Sequence, residues 1–419
     1  MKSGGIMVNI IVLVVAVLMG LAGSVNAAGF RLSEQDARAN GMGNAAVAVS
    51  DNPSAVWYNP AAITGLEGTN LSLGSVMVLP QMEHTNTDGS KDRIEQTVHL
   101  PPHFFATRKL NEKFSIGLGV LAPFGLSTDW DKTTSATREV ATLSEIQAIY
   151  SNLNGAYKVN ENLSVAAGAS FVRLDATMNK KVEFGTTNVE QTLEGDGTGT
   201  GYNVAAMYKW NKYKFGASYH SKVKIDVDGK INLPTAGTTL NALDASNRDA
   251  STKITLPDTF QIGVAHQCTD SWLFTAEADY TNWSTYRRLI IDYTRTTGAA
   301  AQSIDDKNWK STWAFRLGGE HKVNENWKLR LGAFYDVNPV KEDYFETRVP
   351  DSDRVAVSFG AGYAKGNITV DASYLYLRFM KRTIDNSLQD NGATQTNTSI
   401  NGKYSSVARL PAITVGYKF

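Results

Sequence analysis

Two things are scarce in this 419-residue chain: cysteine and net charge. The single cysteine, Cys268, excludes an internal disulfide and any cysteine-based zinc cluster. Lysine and arginine together number 41, as do aspartate and glutamate, so the formal net charge is zero. Because nucleic-acid binding calls for a basic surface, we do not expect nucleic acid to be a partner.

Long apolar runs are also missing after the first 27 residues. Hydrophobic residues make up 42% of the chain and its mean hydropathy is −0.25, which is too polar for a bundle of membrane helices. A membrane β-barrel remains compatible with this composition, because only alternate residues of each strand contact lipid.

Residues 1–27 have the features of a cleavable export signal. Lys2 provides the positive start, residues 6–21 are almost wholly apolar, and Val25 and Ala27 are small residues in the positions that signal peptidase requires. We therefore expect residues 1–27 to be removed and the mature chain to begin at Ala28. A retained membrane helix is the less favoured alternative.

Residues 28–66 are rich in alanine and glycine and show no strand-like alternation. Pro53 and Pro60 interrupt any regular element. Phe30, Trp57 and Tyr58 are among several apolar residues, too many for a segment that stays in water. A buried plug is therefore favoured over a flexible extension.

From residue 67 to 419, alternating runs are joined by six tight turns and by long polar connections. The six turns link twelve strands, and a first strand near residues 70–79 and a last near 410–419 bring the number to fourteen. Seven long connections at one end and six short ones at the other are typical of a bacterial outer-membrane barrel. The turns lie at residues 111–113, 160–162, 211–212, 269–271, 324–326 and 366–367, and the long connections near 80–101, 124–145, 176–200, 227–253, 285–311, 338–354 and 381–404.

Alternation inside the strands supports the same fold. Trp327, Leu329 and Leu331 share one face of a predicted strand, and Lys328 and Arg330 share the other. Aromatic residues gather beside the short turns and again about a membrane thickness away, as the two girdles of a barrel do. We predict an all-β protein, a 14-stranded antiparallel transmembrane β-barrel over residues 67–419 with residues 28–66 as a hatch in its lumen.

Several motifs in the chain resemble the FadL family of transporters for long-chain fatty acids and aromatic hydrocarbons. The resemblance extends from residue 28 to the C-terminus. It rests on residues 28–35 (AGFRLSEQ), 57–61 (WYNPA), 122–130 (APFGLSTDW), 256–260 (LPDTF), 281–284 (TNWS) and 349–354 (VPDSDR).

The resemblance implies an outer-membrane channel whose barrel is closed by an N-terminal hatch. Extracellular loops would capture a hydrophobic molecule from water or from the lipopolysaccharide layer. The hatch would then shift, and the ligand would leave sideways through a gap made by a kink in the third strand. The ligand would move down its own gradient, so no energy source is implied.

The third strand is predicted to run from Phe114 to Leu121, with Pro123 at its end, and to carry the wall opening. Glycine inside a strand marks a bulge or bend, and proline cannot donate to the ladder. We therefore place the opening at Gly117, Gly119, Pro123, Phe124 and Gly125. The alternative is that these are small lumen-facing residues near an ordinary strand end.

Other site predictions concern the hatch and the ligand. The Asn59 side chain is expected to bond local backbone and set a turn that Pro60 fixes before Ala61. This motif either gates transport or only stabilises the hatch. Phe30 is a candidate for lining the ligand pocket, and the inward-facing cations Arg316, Lys328 and Arg330 are candidates for holding a fatty-acid carboxylate.

Motifs for other chemistry are absent from the sequence. There is no Gly-x-Ser-x-Gly elbow, and the six histidines form no recognisable catalytic or metal-binding pattern. We therefore expect no enzyme activity, no metal and no cofactor. Asp351 and Asp353 are expected to be solvated loop charges.

Rival functions within the same fold are a lipid-acting outer-membrane enzyme, a hydrophilic porin and a structural adhesin. Expected partners are a hydrophobic small molecule, the lipid and lipopolysaccharide of the outer membrane, and the barrel-assembly machinery, which would read the terminal Phe419. A closed barrel needs no second copy, so a monomer is expected.

Overall fold

The computed structural model describes residues 29–49, 51–184, 187–233, 248–293, 302–388 and 400–419. The predicted export signal and the expected first mature residue, Ala28, lie outside these ranges.

The described residues contain 21 strands, all in one antiparallel sheet. Their bounds are β1 (Thr69–Val76), β2 (Leu79–Asn86), β3 (Lys91–Arg93), β4 (Pro102–Lys109), β5 (Phe114–Asp129), β6 (Leu143–Lys158), β7 (Leu163–Phe184), β8 (Thr187–Trp210), β9 (Tyr213–His220), β10 (Val223–Asn232), β11 (Arg248–Leu256), β12 (Thr259–Gln267), β13 (Trp272–Thr281), β14 (Arg288–Tyr293), β15 (Gln302–Asp306), β16 (Thr312–Lys322), β17 (Trp327–Asp336), β18 (Arg354–Lys365), β19 (Ile368–Phe379), β20 (Arg382–Ile384) and β21 (Gly402–Lys418).

The sheet closes on itself. β1 pairs with β4 on one side and with β21 on the other. β9 and β10 form one wall strand with a break at residues 221–222, and β11 and β12 form another with a break at 257–258. With β2, β3, β14, β15 and β20 set aside as additions to the wall, the described residues form the fourteen predicted wall strands.

All six predicted tight turns connect adjacent strands. Three of them share one device, in which an asparagine Oδ1 accepts hydrogen bonds from the backbone N–H groups two and three residues further on. For Asn111, Asn160 and Asn324 the N···O distances are 2.9–3.0 Å. The repeated asparagine therefore explains why these three chain reversals occur where the sequence predicts them.

The predicted long connection at residues 176–200 is wrong. β7 and β8 run through it as strands of 22 and 24 residues. Glycine and polar residues occupy both faces of this stretch, so the sequence lacks the apolar alternation that identified the other strands. Residues 338–353, in contrast, contain no strand.

Side chains on the outer and inner faces differ as expected for a membrane barrel. Leu73, Leu153 and Leu331 face outward with 60–69% of their surface exposed, whereas Glu277 and Arg330 face the lumen and are buried. Lipid would cover the outer set. Among the described helices, none has the length and apolarity needed to cross a membrane.

Residues 29–49 and 51–66, here called the hatch, lie inside the barrel. They contain α1 (Ala37–Gly41), α2 (Ala55–Tyr58) and a 3-10 helix (Pro60–Gly65). α1 packs against β17–β19 and β21, and the 3-10 helix packs against β4–β8. The predicted fold, a fourteen-stranded antiparallel barrel with a small hatch in its lumen, is confirmed.

Two glycines of the wall allow the hatch backbone to come close. A Cβ on Gly332 would lie 2.0 Å from the Gly43 nitrogen, and one on Gly216 would lie 2.1 Å from the Val47 carbonyl oxygen. Any larger residue at either position would push the hatch away from the wall.

Candidate ligand cavity and wall bend

The bend in the barrel wall lies at Ala122 and Pro123 of β5. The pairing register of β5 with β6 shifts between Leu121 and Phe124. On the other side, β5 pairs with β4 only as far as Val120. Because proline has no N–H, it fits a position where the ladder is interrupted.

The start of the hatch pairs with the bent part of β5. The Leu32 N–H donates to the Pro123 carbonyl oxygen at 2.8 Å, and the Gly125 N–H donates to the Phe30 carbonyl oxygen at 2.9 Å. Arg31 is thereby bridged to Phe124. Residues 30–32 thus occupy the edge that β5 exposes once it has left β4.

A cavity of about 910 Å³ adjoins this bridge. Its walls include residues 29–32 of the hatch, Ala122 and residues 124–128 of β5, residues 98–101 before β4, and residues of β19 and β21. Beside the hatch much of the lining is apolar, and Arg31, Glu34, Asp351 and Arg354 supply charge there; further charged residues line the end formed by β6, β7, β8 and β10. A cavity of this size with apolar walls beside the hatch suits a small hydrophobic ligand.

Four of the predicted site residues lie where the cavity meets the bend: Phe30, Pro123, Phe124 and Gly125. The other two, Gly117 and Gly119, lie in the regular part of β5. Phe30, Phe124 and Gly125 line the cavity. Gly117 and Gly119 pair with β4 on one side and β6 on the other, and both contact Val56 of the hatch. The transport roles predicted for these residues stay predictions.

The first described residue, Gly29, is held from both sides. Its N–H donates to Asp351 Oδ2 at 2.7 Å, and its carbonyl oxygen accepts from Arg354 Nη2 at 2.8 Å. Arg354 Nε also lies 3.4 Å from Asp351 Oδ1. The expectation that Asp351 is solvated is therefore wrong, because only 3% of it is exposed.

Burial raises the pKa of Asp351 to about 6, although Arg354 and the Gly29 N–H act in the opposite direction. The carboxyl group that holds the start of the hatch thus titrates closer to neutrality than an ordinary aspartate.

Deeper in the lumen, Glu320 of β16 joins the hatch to the wall. It accepts from Arg38 Nε of α1 at 3.0 Å, from Lys328 Nζ at 2.9 Å and from Arg330 Nε at 2.7 Å. Arg330 also donates to Asp371 at 2.6 Å. One buried carboxylate therefore serves three cations, of which one belongs to the hatch.

A second ion cluster lies around Asp279 of β13. Arg316 Nε donates to Asp279 Oδ2 at 2.9 Å, and Arg31 of the hatch lies 3.4 Å from the same oxygen. Arg316 Nη2 also donates to Ser33 Oγ at 2.8 Å. The three cations predicted to bind a carboxylate, Arg316, Lys328 and Arg330, do not line the cavity and are ion-paired. Arg31 and Arg354 do line the cavity, and each is ion-paired as well.

The opposite side of the lumen holds the hatch with uncharged amides. Asn152, Asn154 and Asn203 are fully or almost fully buried and form a closed ring. Asn152 donates to Asn203 at 2.8 Å, Asn203 donates to Asn154 at 2.6 Å, and Asn154 donates to Asn152. Asn154 also donates to the Val56 carbonyl oxygen of α2 at 3.1 Å. Because the Val56 carbonyl oxygen can only accept, it fixes the direction in which the three amides donate around the ring.

Asn59 caps the 3-10 helix that begins at Pro60. Its Oδ1 accepts from the Ala61 N–H at 3.2 Å. Its Nδ2 donates to the Val47 carbonyl oxygen at 2.8 Å and to the Ala206 carbonyl oxygen of β8 at 3.1 Å. One amide therefore links two parts of the hatch to each other and to the wall.

Sequence reasoning missed the asparagine ring and the Asp351–Arg354 pair. A signal for the ring does exist, because Asn152, Asn154 and Asn203 occupy lumen-facing positions of strands whose other inward residues are mostly small. Within the described ranges, no group of three or more His, Cys, Asp or Glu side chains is arranged to hold a metal ion.

A family model described as outer membrane protein transport protein (OMPP1/FadL/TodX) matches residues 18–419. The chain belongs to this family. Members of the OMPP1/FadL/TodX family are outer-membrane transport channels and not enzymes. The expected outer-membrane location and transport function are thereby confirmed.

Curated relatives of this family match over most of their length. The chain is 28% identical to the long-chain fatty acid transport protein of Escherichia coli O6:H1 over 405 residues, covering 85% of this chain and 88% of the relative. It is 26% identical to outer membrane protein P1 of Haemophilus influenzae over 454 residues, with 95% and 96% covered.

Solved structures share the fold. A Pseudomonas aeruginosa FadL homologue superposes with a TM-score of 0.80 at 21% identity, covering 94% of this chain and all of the other. The Ralstonia pickettii toluene transporter TbuX gives a TM-score of 0.70 at 17% identity, covering 92% and 98%.

Proposed function

We propose that this chain is a passive uptake channel for long-chain fatty acids. A fatty acid enters the cavity from the cell exterior and is held there by apolar contacts. It then leaves sideways, between β4 and β5, once residues 30–32 release the bent strand. No energy source is needed, because the ligand moves down its own gradient.

The observation that carries this proposal is the bridge between Arg31 and Phe124. Above Val120, β5 no longer pairs with β4, and the hatch supplies the missing hydrogen bonds through Phe30 and Leu32. Two hydrogen bonds are few for a strand edge, so the hatch can leave without disrupting the barrel. A cavity that touches both the hatch residues and the bend supports the same route.

The chemistry of the cavity fits an acyl chain with an acidic head. Apolar side chains such as Leu126, Leu377 and Phe379 line it, and an acyl chain gains about 0.8 kcal/mol for each CH₂ that it buries. Arg31 and Arg354 are the cations nearest the hatch in this lining. Two E. coli relatives are long-chain fatty acid transport proteins, which also favours a fatty acid.

A toluene-like aromatic hydrocarbon is the second candidate. It is favoured by the acidic end of the cavity lining on β6, β7, β8 and β10. Five carboxylates line that end, Glu145, Asp175, Glu194, Asp196 and Asp228, against one lysine, Lys230. A carboxylate ligand would be repelled there, whereas an uncharged hydrocarbon would not.

The remaining expectations complete the proposal. Residues 1–27 are removed on export, residues 28–66 act as the movable hatch, and residues 67–419 form the barrel. The protein works as a monomer in contact with outer-membrane lipid and lipopolysaccharide. The terminal Phe419, which is 68% exposed, is available to the barrel-assembly machinery.

Growth and vesicle experiments test the function. Cells that lack the gene should lose growth on oleate and regain it with the wild-type gene, and growth on toluene decides between the two candidates. Growth on oleate that is unchanged by deletion would contradict the fatty-acid proposal. Vesicles carrying the purified protein should not swell in sugar solutions. Swelling would indicate a hydrophilic porin instead.

A further inference from the structure

Phe30 fills a box made of four aromatic rings. Its ring centroid lies 4.7 Å from that of Trp283, 5.9 Å from Trp309, 6.0 Å from Tyr286 and 6.2 Å from Phe124. Trp309 in turn lies 5.1 Å from Trp283 and 5.0 Å from Tyr286. These four rings, here called the aromatic box, enclose Phe30 so fully that 3% of it is exposed.

Two hydrogen-bond donors of the aromatic box are buried without an acceptor. The Nε1–H groups of Trp283 and Trp309 have no hydrogen-bond partner among the described residues, and the two side chains are 0% and 3% exposed. A buried indole N–H ordinarily finds an acceptor, because leaving it unpaired forfeits its hydrogen bond to water. The hydrogen bonding of the box is therefore incomplete while Phe30 occupies it.

The hatch lies against the edge of Trp283 that bears this donor. A Cβ added to Gly29 would lie 2.6 Å from Trp283 Cζ2 and 2.8 Å from Cε2, the carbon bonded to Nε1. It would also lie 2.9 Å from Trp309 Cζ3. Gly29 thus covers the edge of Trp283 that bears Nε1, whereas on Trp309 it meets Cζ3, which lies across the six-membered ring from the carbon bonded to Nε1.

The aromatic box adjoins the ligand cavity. Gly29, Phe30 and Phe124 line that cavity, whereas Trp283 and Trp309 do not. Phe30 is consequently the partition between the cavity and the two indoles. Its backbone is fixed to β5 through the bridge at Phe124, and the neighbouring Gly29 is held by Asp351 and Arg354, so release of both contacts would open the box to the cavity.

We propose that the aromatic box is a binding subsite for a ring that carries a hydrogen-bond acceptor, such as an aryl ketone or an aryl carboxylate. The ligand ring takes the place of the Phe30 ring, and its oxygen accepts from Trp283 or Trp309. This subsite rests on the proposed uptake of hydrophobic compounds and adds a preference that an alkyl chain or a plain hydrocarbon would not reveal. Four surrounding rings favour an aromatic guest through edge-to-face contacts.

Acetophenone and ethylbenzene form a matched pair of probes, since they are close in size and only acetophenone has a carbonyl oxygen. Binding to the purified full-length protein is measured by equilibrium dialysis with labelled compounds. In Phe30→Ala, which empties the box, acetophenone should bind at least about fivefold more tightly than ethylbenzene, as one neutral hydrogen bond allows. Wild type should show the same preference with weaker binding of both probes.

Removal of the indole donors should abolish the preference. Trp283→Phe and Trp309→Phe are each made in the Phe30→Ala protein, and at least one of them should bring the two affinities to within about twofold of each other. Trp313→Phe, a change on the outward face of β16, serves as the control and should leave the preference intact. Heat-modifiable gel mobility confirms that each barrel is folded.

Equal affinities for the two probes in Phe30→Ala would overturn this inference. A preference for acetophenone that persists in Trp283→Phe and also in Trp309→Phe would overturn it as well. In those cases binding of ethylbenzene and oleate to wild type would leave the proposed uptake function standing. Failure of wild type to bind oleate or either probe would instead contradict the uptake function itself.

Discussion

The lumen has two walls that hold the same hatch in different ways. The charged wall, on the inward faces of β13 and β16–β19, contacts the hatch through buried ion pairs, as between Glu320 and Arg38. The neutral wall, on the parts of β5–β8 that face the hatch, contacts it through amides, hydroxyls and glycines, as between Asn154 and Val56. The bent strand β5 belongs to the neutral wall.

This difference indicates which side of the hatch is anchored and which side can move. Separating a buried ion pair leaves an uncompensated charge, so the charged wall is costly to leave. A neutral hydrogen bond contributes less and can be exchanged for one to water. We therefore expect the hatch to pivot on the charged wall and to open along the neutral one.

Loss of Glu320 should weaken the anchoring of the hatch to the charged wall more than any other change. Glu320→Gln leaves Arg38, Lys328 and Arg330 without their shared carboxylate, and should lower the free energy of unfolding by about 3–5 kcal/mol. Urea unfolding in lipid vesicles measures this. Glu161→Gln, which removes an exposed pair with Lys158, is the matched control and should change little. Equal stability of the two variants would refute the anchoring role.

The contact between Asp351 and the start of the hatch should depend on pH. The folded-state pKa is raised from the ordinary 3.8 to about 6, so the folded protein binds this proton more tightly than the unfolded chain. The contribution of Asp351 to stability is therefore fully present below pH 4 and is lost as the pH rises towards 6, by about 3 kcal/mol in total. Asp351→Asn removes it, while other titrating groups are common to both proteins. A wild-type-minus-variant difference that stays constant or grows from pH 4 to 7 would contradict this.

Loss of the asparagine ring should have a smaller effect. Asn154→Ala leaves the Val56 carbonyl and an Asn203 N–H without their partners, and should cost about 1–3 kcal/mol. Asn203→Ala combined with it should add less than its own separate effect, because the ring acts as a unit. Ser151→Ala on the outward face of β6 is the control. Protease should cleave the hatch faster in Asn154→Ala than in wild type. Unchanged cleavage would show that Asn154 does not hold the hatch in place.

A change at Gly117 should have the smallest effect. A Cβ there would lie 2.5 Å from Val56 Cγ2, so Gly117→Ala should cost about 1 kcal/mol through overpacking against the hatch. Adding Val56→Ala should relieve the strain and restore stability.

Valine at both Gly117 and Gly119 should cut oleate uptake while the barrel stays folded, and unchanged uptake would show that this part of β5 does not affect passage.

The elements that sequence predicts correctly are those set by near neighbours. Asn111, Asn160 and Asn324 make their turns with residues two and three positions away, so these three chain reversals can be identified from local sequence. Period-two alternation likewise identifies lipid-facing strands. It fails along β7 and β8 beyond the membrane, where neither face must be apolar.

The parts that sequence does not reveal depend on partners far along the chain. Arg38 and Glu320 are separated by 282 residues, and Gly29 and Asp351 by 322. Nothing near Arg316 or Arg330 indicates that a buried carboxylate already neutralises it. Sequence alternation predicts only which cations point into the lumen, and it therefore selects Arg316, Lys328 and Arg330. Arg31 and Arg354, which do reach the cavity, can be identified only from the closed barrel.

A reversible disulfide between hatch and bent strand tests the central claim most directly. Arg31 and Phe124 form a non-hydrogen-bonded antiparallel pair, whose Cα separation of about 4.5 Å suits a disulfide. In a Cys268→Ser background, Arg31→Cys with Phe124→Cys should reduce oleate uptake to the level of cells without the protein when oxidised. Reduction should restore uptake to that of the two single-cysteine controls. Full uptake through a completely disulfide-linked protein would show that the hatch need not leave the wall.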